Sequence, residues 1–160
     1  MSVPLLTTAQ VGDVMANLGT VETASRNRIR VRIRAADLRD ASQRALDRLQ
    51  CDHLVHLATV DNGKTFELHY HLTGGHRTVV TLVVELRRDE PRIASVHDLL
   101  PPAGLAERQI HDFFGIVFEG HPDLRRVILN DEWPEGEYPL RNDWKMDPTK
   151  TYGGLSQEVG

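Results

Sequence analysis

Apolar residues along the chain change period several times, and each change marks an element. Val11, Val14, Met15 and Leu18 recur at helical spacing behind Thr7-Thr8, whose hydroxyls can cap a helix start, and Gly19 offers a stop. Ile29, Val31 and Ile33 then alternate with Arg28, Arg30, Arg32 and Arg34, the period of a strand with one exposed face. Between Asp37 and Leu49 the period lengthens again. Leu38, Ala41, Ala45, Leu46 and Leu49 fall on one stripe of a second predicted helix.

Three strands are predicted next. The first, over 53–60, ends at Asp61-Asn62-Gly63-Lys64, where Asn-Gly is a hairpin signal. In the second, Phe66, Leu68, Tyr70 and Leu72 alternate with Glu67, His69 and His71 up to the turn at Gly74-Gly75. The third, over 78–86, is the most apolar and is expected at the centre of the sheet. A short edge strand is expected over 92–96. Pro101-Pro102 opens another helix, with Ala106, Ile110, Phe113, Phe114 and Val117 as its apolar stripe. The order of elements predicts an α+β fold, a mixed or antiparallel sheet with helices packed on one face.

Beyond Phe118 the character changes. Pro122, Pro134, Pro139 and Pro148 interrupt any regular element, as do Gly120, Gly136, Gly153 and Gly154. The same stretch carries Leu124, Val127, Ile128, Leu129, Trp133, Tyr138, Leu140 and Trp144, more apolar side chains than a disordered tail keeps. The expected division is an α+β domain over 1–117 and a long extended C-terminal arm over 118–160. Pattern alone leaves open whether the arm buries its apolar residues on a partner or on its own domain.

Composition narrows the function classes. At 160 residues, with 40% hydrophobic and 26% charged residues, the chain has the make-up of one globular domain. A formal net charge of -4 lacks the basic excess of a nucleic-acid binder. The single cysteine, Cys51, allows neither an internal disulfide nor a cysteine-ligated iron–sulfur cluster. No apolar run approaches the roughly 20 residues of a spanning helix, and the N-terminus lacks a signal pattern. Membrane association is therefore expected only through partners.

Candidate chemistry is sparse. His69 and His71 share a strand face near His76, and with a carboxylate they could serve a small metal-dependent hydrolase; His53 and His56, three apart, are expected on opposite faces. Cys51 has no activating triad and reads as a structural thiol. Phosphate-binding glycine motifs are absent. Asp131, Glu132, Glu135 and Glu137 read as a solvated loop, and the arginine ladder as a solvated strand face. No catalytic, cofactor-binding or metal-ligating residue is assigned, and no cofactor is expected.

The stretch from Glu107 to Arg126 is the most informative. It predicts a helix ending at Gly115, a turn at Gly120-His121-Pro122 and then an arginine pair. Arg108 and Asp112 are four apart, as are Glu107 and His111, so each couple can pair along a helix. The stretch resembles the signature of the NuoC-type subunit (the 30-kDa subunit) of respiratory complex I. The matching residues are Glu107-Arg108, Asp112, Phe114-Gly115, Gly120-His121-Pro122-Asp123-Leu124-Arg125-Arg126, the aliphatic Val127-Ile128-Leu129 and Pro139-Leu140-Arg141. Gln109 departs from the usual second Glu, and Leu105-Ala106 stands where a Trp often precedes the motif.

The same subunit type is shared by membrane-bound energy-converting hydrogenases and related dehydrogenases. The resemblance implies a non-catalytic scaffold subunit on the cytoplasmic side of the membrane, peripheral and attached through its complex. Its arm would wrap a NuoD-like, hydrogenase-large-like subunit and hold it against iron–sulfur subunits. The expected interface comprises Glu107, Arg108, Asp112, Phe114 and Gly115 at the helix end and His121, Pro122, Asp123, Leu124, Arg125 and Arg126 after the turn. Trp133, Tyr138, Pro139, Leu140 and Arg141 complete it further along the arm. A free-standing binding module with an unrelated partner is the other alternative.

Overall fold

The computed structural model describes residues 2–153. Its first helix, α1 (Thr8–Val14), starts where the sequence places it. Thr7 accepts from the Gln10 amide while the Gln10 side chain accepts from the Thr7 amide, a reciprocal cap. Strand β1 (Gly19–Ser25) follows, then β2 (Arg28–Ile33), a 3-10 turn at Ala35–Asp37 and helix α2 (Leu38–Leu49). Strands β3 (His53–Asp61), β4 (Thr65–Thr73) and β5 (Val79–Arg87) come next. A short β6 (Arg92–Ala94), helix α3 (Ala103–Phe114) and β7 (Val117–Glu119) complete the regular elements.

The sheet is mixed and five-stranded, in the order β1-β2-β5-β4-β3. The β2–β5 pair is parallel and the other three are antiparallel. Strand β5 is central, as its apolar run predicts: with neighbours on both sides, every residue from Val80 to Val84 is buried. Ile29, Val31 and Ile33 of β2 and Phe66, Leu68, Tyr70 and Leu72 of β4 point to the same side. There they form one core with Val11 and Met15 of α1, Leu38, Ala41 and Ala45 of α2, and Ile110 and Phe114 of α3.

Three local expectations are corrected. Gly19 does not stop a helix; it opens β1, where a Cβ would overlap the Arg32 carbonyl oxygen of β2. Residues 92–96 add nothing to the main sheet, because β6 pairs only with β7, in parallel. His53 and His56 lie on the same face of β3. A β-bulge between Leu54 and His56 inserts one residue, so His53 pairs with Thr73 and His56 with His71.

Past β7 the described residues contain no further helix or strand. The chain is nonetheless held at defined points, and these define the site.

Candidate functional site: the strap across helix α3

Helix α3 presents three faces. Ala103, Ile110 and Phe114 enter the core, and Phe114 meets Phe66 edge-on with ring centroids 5.8 Å apart. Glu107, one turn after Ala103, is fully buried. It does not pair with His111: it accepts from the Ser95 hydroxyl and, at 2.9 Å, from the Val96 amide, tying the loop after β6 to the helix. Burial pushes its carboxyl above the usual glutamate range, and the Ser95 and Val96 hydrogen bonds oppose that shift only in part. Ser95 Oγ also lies 3.1 Å from His97 Nδ1, and the His97 ring sits 5.7 Å from that of His121. His121 donates from Nε2 to the Gly104 carbonyl at 2.8 Å and accepts the Asp123 amide at Nδ1, so both ring nitrogens are used to shape the turn.

The third face carries the strap. Arg108 donates from Nε to the Arg125 carbonyl and from Nη2 to the Arg126 carbonyl, each at 3.0 Å. One turn on, Asp112 Oδ2 accepts the amides of Val127, Ile128 and Leu129 at 2.9, 2.8 and 3.1 Å. The two residues are four apart because they grip successive stretches of one crossing segment; they do not pair with each other. Asp112 Oδ1 is buried and has no hydrogen-bond partner among the described residues. The Asp112 residue lines a cleft of about 290 Å³ together with His111, Arg126, Glu135 and Tyr138.

At the helix end Gly115 takes φ +74, and a Cβ there would overlap the Tyr138 ring. Both the left-handed turn and the ring's approach require glycine. Arg141 donates to the Phe114 carbonyl at 2.8 Å, and its guanidinium lies 4.5 Å from the Tyr138 ring centroid and 5.2 Å from that of Phe66. Leu140 donates its amide to the Phe113 carbonyl. Asp61, at the β3–β4 hairpin, accepts the Asn142 amide at 2.8 Å and a bidentate pair from Arg88. Burial raises the Asp61 carboxyl, but the hydrogen bonds from Arg88, Asn142 and Gly63 outweigh it and leave the pKa below the ordinary range.

The distal strap closes on itself. Trp133, Trp144 and Tyr152 cluster, with Trp133 4.8 Å from Tyr152 and 5.7 Å from Trp144 between centroids. Glu137 Oε2 accepts from Trp144 Nε1 at 3.0 Å and from the Tyr152 hydroxyl at 2.7 Å, its other oxygen meets Lys150, and its carbonyl takes Trp133 Nε1. This corrects the reading of Glu137 as one more solvated acid, although Asp131, Glu132 and Glu135 are exposed.

Of the sequence-assigned residues, Leu124 leans on the core and Pro139 is half-buried, whereas Pro122 is exposed. Arg125 pairs with Asp123 at 2.7 Å but stays 84% exposed, and Arg126 donates to the Asn130 carbonyl. Sequence reasoning missed Ser95, Asp61, Arg88, Glu137 and Tyr152. Each lies at least a dozen residues from a partner it holds, and no spacing rule links such pairs. Chemically the arrangement is a fastening. Arg108, Asp112, His121 and Arg141 each hydrogen-bond main-chain groups, fixing a path for the chain. His69 and His71 lie side by side, with ring centroids 6.2 Å apart, and among the described residues no third His, Cys, Asp or Glu joins them in a group that could hold a metal.

Comparison with known proteins places this geometry. Residues 31–150 match the family described as respiratory-chain NADH dehydrogenase, 30 Kd subunit. The C-type subunit of the F(420)H(2) dehydrogenase of Methanosarcina mazei is 35% identical over 132 residues, 78% of this chain and 83% of that protein. A C/D-type subunit of the NADH-quinone oxidoreductase of Phocaeicola vulgatus is 34% identical over 118 residues, 72% of this chain and 22% of that protein. The chain spans less than half, 45%, of the length of another relative, the C-type subunit of the NADH-quinone oxidoreductase of Chloroherpeton thalassium. Among solved structures, a chain of the membrane-bound sulfane sulfur reductase, an archaeal respiratory membrane complex, superposes with a TM-score of 0.73 at 28% identity, over 86% of this chain and 83% of that one. Among the described residues no helix is long and apolar enough to cross a membrane. The match extends over most of the chain, including the helix and the strap, and the chain belongs to the 30-kDa, NuoC-type subunit family of respiratory-chain NADH dehydrogenase.

Proposed function

We propose that the chain is a non-catalytic scaffold subunit in the peripheral part of a complex I-like membrane oxidoreductase. Residues 118–160, of which 154–160 lie outside the described residues, form the arm that docks on a NuoD-like large subunit and holds it against iron–sulfur subunits. The carrying observation is the division of labour within the motif. Its buried polar groups fasten the strap to α3, while Arg125, Ile128, Leu140 and Met146 are left exposed on it. Leu140, 52% exposed, is a large apolar side chain on a segment whose backbone is pinned on both sides of it. A pre-shaped strap loses little conformational entropy on docking, which favours a stable interface.

The names of the relatives support the same reading. The C/D-type relative carries both subunit types in its name, a natural arrangement for two surfaces that meet. The F(420)H(2) dehydrogenase and the membrane-bound sulfane sulfur reductase support this assembly class, and our reading puts the chain on the cytoplasmic side of the membrane, attached through its complex.

The test is affinity recovery of the tagged chain from gently solubilised native membranes, with mass spectrometry of what comes with it. Wild type should bring a large subunit and iron–sulfur subunits. Arg125→Ala, at an exposed side chain, should lose the large subunit with the chain's own melting unchanged. Recovery of the chain alone from wild-type membranes would overturn the proposal.

A further inference from the structure

The sheet has a second face, turned away from the helices, which the strap does not use. Directly paired residues share a face, so register lays out its rows. One row runs Glu22, Arg30, Thr81, His71, His56; the next runs Thr20, Arg32, Val83, His69, Ala58. Thr81 and Val83 are only 7% and 2% exposed, although no helix covers them. Arg30 and His71 flank Thr81 in its row, and Arg32 and His69 flank Val83.

Charge on this face is graded. Towards one end the arginines are compensated: Arg30 pairs with Glu22 at 2.8 Å and Arg32 with Glu67 at 3.4 Å, and Glu85 lies beside Glu67. At the other end Arg28 begins β2, Arg26 sits in the β1–β2 turn and Arg77 lies two residues before β5. None of the three forms an ion pair with a carboxylate among the described residues, in a chain whose formal net charge is -4.

Arg26 and Arg77 line a cleft of about 430 Å³ with Leu5 and Asn27. The N-terminal segment walls it, since Leu6 donates to Thr78 Oγ1 at 2.9 Å and Arg77 to the Pro4 carbonyl at 3.1 Å. Beside this end the His56 and His71 rings lie nearly parallel, 6.4 Å apart. Burial lowers the His71 pKa first, and His69, His56, Arg28 and Arg30 lower it further.

We propose that this end of the sheet is a second docking surface, which takes an acidic segment of a neighbouring protein across Arg26, Arg28, Arg77, His56 and His71. The groups are arginines and histidines with no lysine among them, and the planar guanidinium takes a carboxylate through two parallel hydrogen bonds. An extended acidic segment would bring its carboxylates to Arg28 and to Arg26 and Arg77 at the cleft, the arginines that no carboxylate among the described residues already holds. The proposal rests on the chain's place in an assembly but not on the strap, which uses other residues.

Two measurements test it. The full-length chain is titrated with a hexaglutamate and a hexalysine peptide at low salt. Hexaglutamate should bind saturably and hexalysine should not. The Arg28→Ser/Arg77→Ser double variant should bind hexaglutamate at least tenfold more weakly, while Arg48→Ser, on exposed α2 surface, should leave binding unchanged. In the assembled complex, a photo-crosslinking residue in place of exposed His56 should capture a peptide rich in Asp and Glu from another subunit. A lipid adduct, a peptide without acidic residues, no protein adduct, or binding indifferent to the double variant would overturn it. Large-subunit recovery should be lost with Arg125→Ala and hexaglutamate binding with the double variant, so failure of either proposal is visible separately.

Discussion

Replacing Asp112 with alanine removes the clasp that holds the root of the strap. One carboxylate oxygen accepts three consecutive amides, those of Val127, Ile128 and Leu129, from a side chain that is itself buried. Hydrogen bonds to a charged acceptor contribute ~1.5–3 kcal/mol each, so simple addition gives about 4.5–9 kcal/mol. That sum is an upper bound. Ile128 is exposed and its neighbours are half-buried, so water can reach the freed amides, and removing the carboxylate also relieves its burial. The expected net loss is about 2–3 kcal/mol, confined to opening of the strap.

Hydrogen exchange measures this directly. Since 1.4 kcal/mol is tenfold, the amides of 127–129 should exchange about 30- to 150-fold faster in Asp112→Ala. Amides of β4 and β5 should keep their protection, because Ile110 and Phe114 still anchor α3 in the core. Asp112→Asn should fall between, since its amide oxygen can still accept while its NH2 takes the place of the unpartnered Oδ1. Unchanged protection at 127–129, or an equal loss in β4 and β5, would refute the clasp.

Two further outcomes are expected. Gly115→Ala places a methyl group against the Tyr138 ring at a positive φ, and should cost about 1–3 kcal/mol in denaturant unfolding, part of it regained with Tyr138→Ala; a neutral Gly115→Ala would contradict the observed approach. The Glu107 carboxyl, raised by burial, binds its proton more tightly folded than unfolded, so its contribution to stability is present below the unfolded value of about 4.3 and is lost as pH rises through the folded one. Urea unfolding across that window should show stability falling less steeply with pH in Glu107→Gln than in wild type, and parallel curves would refute the assignment.

Much of the fold was legible because burial leaves a periodic trace. Phe66, Leu68, Tyr70 and Leu72 alternate, Leu38 to Leu49 carries a helical stripe, and the apolar run of 79–84, interrupted only by Thr81, marks the strand with neighbours on both sides. Strand β1 left no such trace. Its Thr20, Val21, Glu22 and Thr23 lie at the sheet edge with no fully buried residue, and what makes it a strand is pairing with β2. The bulge that turns His53 and His56 to one face is likewise a property of the β3–β4 pair and not of either strand.

The site divides along the same line. The motif from Glu107 to Arg126, with Pro139-Leu140-Arg141, was readable as residues, and the family follows from it. Which groups those residues hold was not readable. Arg108 and Asp112 suggest a helical ion pair, and only the crossing strap shows them turned to carbonyls and amides 15 to 18 residues away. Glu137 looked like one acid among several until Trp144, Lys150 and Tyr152 closed around it. Short-range periodicity records whether a position is buried, because water acts on every residue where it stands. Partners distant along the chain are chosen by the packing of whole elements, so the tertiary structure alone decided where the strap runs and which face of the sheet stays open.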